Sequence, residues 1–90
     1  MATESINEPV DVLASFRLTK GGSALVKPEI VNWSGRRYKV DRLGLRYPTR
    51  AGERTIHVFA VLCQETAMEL EFDSHKLTWK LRKISDDYPS

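Results

Sequence analysis

The sequence predicts an all-β fold, six or seven short antiparallel strands in a meander that closes, or nearly closes, as a small and partly open barrel. Three observations carry that expectation. Apolar residues recur at every second position along most of the chain, the period of a half-buried strand. Gly, Asp and Ser turn signals punctuate the runs. No capped apolar stripe of helical period exceeds one turn.

Met1 to Pro9 is polar and reads as a tail. Val10, Val12, Ala14, Phe16 and Leu18 alternate with mostly polar neighbours and stop at Lys20-Gly21-Gly22, a first strand and a turn. Ala24 to Val26 is a short apolar run before Pro28, a residue that belongs at a strand start or edge. Two strand-like runs then fold about Ser34-Gly35. A three-residue loop, Trp33-Ser34-Gly35, sets Asn32 opposite Arg36 and Ile30 opposite Tyr38. It places Ile30, Tyr38 and Val40 on one face and Val31, Trp33 and Arg37 on the other. A two-residue loop pairs Val31 with Tyr38 instead.

Beyond Val40 the apolar phase slips from even to odd positions (Leu43, Leu45, Tyr47), which signals a β-bulge near Asp41-Arg42. Thr55 to Cys63 is the next strand. A four-residue turn from Cys63 to Met68 pairs Val61 with Leu70 and Phe59 with Phe72, a two-residue turn gives the same pairs, and either puts Phe59, Val61 and Cys63 in the core. The last hairpin turns at Asp73 to Lys76, with Phe72 facing Leu77, Leu70 facing Trp79 and Met68 facing Leu81. The domain so read spans residues 10–84, with residues 85–90 as a second tail.

Ninety residues make one domain with little core to spare. No apolar run approaches the roughly 18 residues of a membrane span, and no basic and apolar leader is visible. Cys63 is the single cysteine and has no internal disulfide partner, which points to a reducing, cytoplasmic setting. The net charge of +2 is unevenly spread. Residues 1–13 hold three acids and no base, residues 14–63 hold ten bases and three acids, and residues 64–90 hold four bases and six acids. Such asymmetry marks a candidate anion-binding face.

The chemistry of catalysis is thin. His57, Cys63 and His75 are the only nitrogen or sulfur ligands, and His57 and Cys63 stand about 20 Å apart on one strand at roughly 3.3 Å per residue. They form neither a zinc site nor a nucleophile–base pair. Glu69 and Glu71 face Lys80 and Thr78 across a solvent-side ladder. No catalytic residue, metal or cofactor is expected. What remains is a cluster of bases and rings: Trp33, Arg36, Arg37 and Lys39 around Tyr38, continued by Arg42. Charge for phosphates and a ring for a base are what single-stranded nucleic acid requires. The alternative site is the row Ile56, Val58, Ala60 and Leu62, which needs cover from the chain's own N-terminal strand, a second copy or another protein.

On Trp33, Gly35, Arg36, Tyr38 and Val40, with Trp79, Leu81, Ile84 and Asp86 at the end, the chain resembles a group of small uncharacterised bacterial β-barrel domains. The resemblance implies a β-barrel, and weakly a nucleic-acid context, because some such domains are similar to partners encoded near DNA-repair functions. The expected function is a non-enzymatic binding module, for single-stranded nucleic acid or, alternatively, for a protein or a second copy.

Overall fold

A computed structural model describes residues 3–22 and 24–85. Seven strands run in sequence: β1 (Thr3–Leu18), β2 (Ala24–Trp33), β3 (Arg36–Lys39), β4 (Arg42–Ala51), β5 (Arg54–Cys63), β6 (Thr66–Asp73) and β7 (Thr78–Ser85). They are antiparallel in the order β3-β2-β1-β7-β6-β5-β4, so the first and last strands lie side by side. The sheet curls into a half-barrel with β3 and β4 as its free edges. Among the described residues there is no helix, and so none long and apolar enough to cross a membrane.

The long strand β1 makes the corner. Its residues 3–10 pair with β7 and its residues 11–18 with β2. Between Ser5 and Glu8 the register slips, and Asn7 takes a φ of 54°, the left-handed conformation that Asn tolerates best among residues with a side chain. Residues 3–9, expected as a tail, therefore belong to the sheet. The bulge breaks their alternation and hides the strand, while β7 supplies the ladder that their polar composition does not advertise. Ser85, the first residue of the expected C-terminal tail, belongs to β7, and residues 86–90, Asp86 among them, lie outside the described residues.

The concave face carries the core. Phe59, Leu70, Leu81 and Val31 have at most 1% of their surface exposed. Trp79 is clamped between two rings, 4.7 Å from Phe72 and 5.4 Å from Phe59 centre to centre. Val10, Val12 and Ala14 of the expected alternation pack against this cluster.

Two turns differ from expectation, the first in where the chain reverses and the second by a one-residue displacement of its four-residue loop. Cys63 pairs with Thr66, so the β5–β6 turn has two residues, Gln64 and Glu65, and Phe59 meets Leu70. In the last hairpin Phe72 meets Trp79 and Leu70 meets Leu81, with Leu77 absorbed into the turn. Each change moves the register at the turn by two residues, which keeps Phe59, Leu70, Phe72, Trp79 and Leu81 on their expected face; Leu77 is left exposed, and a further slip between Glu69 and Leu70 sets Met68 opposite Ile84. Asp73 explains the second. Its carboxylate accepts the amides of His75 (2.9 Å) and Lys76 (3.2 Å), its carbonyl accepts that of Leu77 (2.7 Å), and Arg54 reaches it at 2.7 Å.

Partial desolvation pushes the Asp73 carboxyl up, but those amides and the charges of Arg54 and Lys76 outweigh it and hold the group below its ordinary value. A depressed folded value means stabilisation that is present above the unfolded value, near 4, and lost as pH falls through the folded one. We therefore expect Asp73→Asn to lower the urea midpoint at pH 7 and to flatten its decline between pH 5 and pH 2.

The hairpin at Gly35 differs in a way that matters. It closes on two residues, with Ser34 at φ 52° and Gly35 at φ 74°, and pairs Trp33 with Arg36, Val31 with Tyr38 and Ile30 with Lys39. Two consecutive positive φ values give the turn whose twist matches the flanking strands. The register is one residue away from the three-residue loop, and one residue exchanges the faces. Val31, Trp33 and Tyr38 now pack toward the core, while Ile30, Arg37 and Lys39 take the opposite face.

The phase slip after Val40 also resolves into two events. The chain leaves β3 at Val40 and joins β5 through Asp41, whose amide donates to the Leu62 carbonyl at 2.8 Å while the Val40 amide donates to Glu29 at 2.9 Å. The bulge proper lies between Leu43 and Leu45, at Gly44. Asp41 thus bridges the two ends of the sheet at one end of the half-barrel. At the other end β4 and β2 stay apart.

A candidate anion-binding edge

Strand β3 is four residues long and carries three cations, Arg36, Arg37 and Lys39. As an edge strand it has a row of backbone groups with no neighbouring strand. Alternation sends Arg36 and Tyr38 to one face and Arg37 and Lys39 to the other, so no flat patch contains all three. They meet instead at the edge. Arg36, Arg37, Tyr38 and Lys39 line one side of a groove of about 320 Å³, and Cys63, Gln64, Glu65 and Thr66 of the β5–β6 turn line the other.

Asp41 braces the turn from outside the groove: the Gln64 amide, at a residue with a φ of 59°, donates to its carboxylate at 2.5 Å. Glu65 is the remaining carboxylate on the groove wall against three cations. Among the described residues only Arg54 and Arg82 form ion pairs, Arg82 bridging Glu69 (2.8 Å) and Glu71 (2.9 Å). Arg36, Arg37 and Lys39 are exposed and belong to none of these pairs.

The two rings are partly committed. Trp33 packs on the core and donates its indole N–H to Glu8 at 3.2 Å. Tyr38 is half-buried beside it, 6.5 Å between centroids, with the Arg36 guanidinium 5.4 Å from its ring centre. The stacked Tyr38–Arg36 pair, rather than Trp33, is the flat surface next to the cations. Arg42 stands elsewhere. It pairs with Leu62 and, with Gly44, Ala60 and Leu62, borders a shallow depression of about 190 Å³.

Cys63 borders the groove but is 5% exposed. Burial, helped by the negative charge of Asp41, pushes its thiol up to about 11, so almost none is thiolate at neutral pH. Alkylation by iodoacetamide at pH 8 is expected to be slow in the folded protein and to reach the free-thiol rate only in denaturant. Fast labelling of the native chain would contradict that placement.

The row Ile56, Val58, Ala60 and Leu62 lies on the convex face of β5. Ile56 (5% exposed) and Val58 (0%) are already buried, and Ala60 and Leu62 are half-buried. Cover by the N-terminal strand is not what the fold provides, since β1 sits between β2 and β7. Val58 pairs instead with Tyr47 and Glu71, whose large side chains flank it, and Ile56 pairs with Thr49 and Asp73. No group of three or more His, Cys, Asp or Glu side chains capable of holding a metal ion occurs among the described residues. Comparison with known proteins returns no match, neither to a family model, nor to a curated protein, nor to a solved structure.

Proposed function

We propose that the protein is a binding module without catalytic activity, and that its β3 edge binds single-stranded nucleic acid. One observation carries the reading. Three cations without ion-pair partners among the described residues converge on a groove beside an unpaired strand edge, and one of them, Arg36, has its guanidinium over the Tyr38 ring. Phosphates are met by charge and by free backbone N–H groups, and a base has the Tyr38–Arg36 plane to lie against. Sequence preference is weak in this reading, since no buried donor–acceptor array faces the groove.

The test is a fluorescence titration with labelled single-stranded oligonucleotides at low salt. Binding that an Arg36→Ala/Arg37→Ala double variant weakens supports the reading. Absence of binding, or binding unchanged in that variant, removes it.

A further inference from the structure

A second site stands at the opposite end of the molecule and owes nothing to the β3 edge. We propose that the open mouth of the half-barrel binds a small amphiphilic organic anion, apolar body inward and anionic head at Arg46.

The mouth exists because β4 does not reach β2. It is a cavity of about 500 Å³, within the range of roughly 300–1,000 Å³ of small-molecule clefts. Phe59 and Phe72 form its floor, Phe16 and Val26 one wall, and Arg46 and Pro48 of β4 the other. Phe16 leans on Phe72 edge-on, 6.0 Å between centroids, yet 58% of its surface is exposed. A large ring half out of water at the rim of an apolar cavity is unfinished packing.

Charge selects the occupant. The alternation of β4 places Arg46 on the concave face, where it pairs with Phe59, and the next pair but one sets Pro48 against His57. Arg46 has no carboxylate partner among the described residues, and no Asp or Glu lines the cavity. His57 and Ser74 are the other polar side chains there. One unpaired guanidinium beside an aromatic floor matches a monoanion carried on an apolar body.

The backbone argues against an extended polypeptide or a second copy as occupant. Pro48 removes an amide donor from β4, the free edge that borders the gap, the device by which edges refuse further pairing. Strand β4 also holds three arginines and no acid, so two copies would meet like to like.

The probe is 8-anilinonaphthalene-1-sulfonate, added to the folded full chain and displaced by naphthalene-1-carboxylate or by its uncharged carboxamide. The expected result is saturable one-to-one dye binding, with the carboxylate displacing at least about tenfold better than the amide, as one charge-assisted hydrogen bond allows. Arg46→Gln erases that preference, whereas Arg36→Ala/Arg37→Ala at the far end leaves it intact, which separates this site from the nucleic-acid edge. Equal displacement by carboxylate and amide, or no dye binding by the native protein, overturns the proposal. So does concentration-dependent dimerisation that Phe16→Ser abolishes, since it would assign the mouth to a second copy.

Discussion

Leu70→Ala is expected to cost about 2–5 kcal/mol and to leave much of the protein unfolded under mild conditions. Leu70 has no exposed surface and sits at the centre of the concave face, between Phe59 on β5 and Leu81 on β7. Removing its isobutyl group loses the transfer energy of the buried carbons and leaves a cavity that aromatic neighbours, held by their own strands, cannot collapse into. A domain of this length has a total stability of roughly 5–13 kcal/mol, so one side chain accounts for a large share of it. Urea denaturation measures the effect directly. Leu13→Ala is the control: Leu13 is 60% exposed, and its loss should stay within about 0.5 kcal/mol. Similar costs for both would mean that the curled sheet does not enclose the core described here.

The second large effect is electrostatic. Replacing Arg36, Arg37 and Lys39 together by Glu should abolish oligonucleotide binding, a loss of at least about a hundredfold, because it exchanges three attractive phosphate contacts for three repulsive ones. All three side chains are exposed, and none supports the core. The triple variant should therefore unfold at nearly the wild-type urea concentration. That combination, binding lost with fold retained, distinguishes a site from a structural hairpin. The variant's near-UV spectrum and its urea midpoint are read on the same sample.

How much of this was legible beforehand follows from the geometry of strands. The inward rows (Val10, Val12 and Ala14 on β1, Phe59, Val61 and Cys63 on β5, Met68, Leu70 and Phe72 on β6) follow from period two alone. They survive misplaced turns because a two-residue slip of register preserves the face. The Gly35 hairpin did not survive, because its uncertainty was one residue, and Ser34 is not the Asn or Asp that usually announces a turn with two positive φ values. That single step moved Trp33 toward the core and separated Arg37 from it. Residues 3–9 escaped notice because a bulge at Asn7 interrupts the only pattern that marks a strand.

The sites were less visible still. Arg36, Arg37 and Lys39 stood out as neighbours in sequence, but alternation alone scatters them. Only the position of β3 as a free edge, facing Gln64, Glu65 and Thr66 some 25 residues on, returns them to one groove. The open mouth has no sequence signal, because Phe16, Val26, Pro48 and Phe72 come from four strands joined only by the curl of the sheet.

The most direct test of the binding edge is the salt dependence of a fluorescein-labelled oligothymidine, measured by anisotropy between 50 and 200 mM salt. Three neutralised phosphates predict a slope of log K against log salt of about −2, at roughly −0.7 per phosphate for single strands. Lys39→Ala should reduce that slope by about 0.7 with the fold intact. A slope near zero, or one that Arg36→Ala, Arg37→Ala and Lys39→Ala all leave unchanged, would contradict the assignment of the β3 edge.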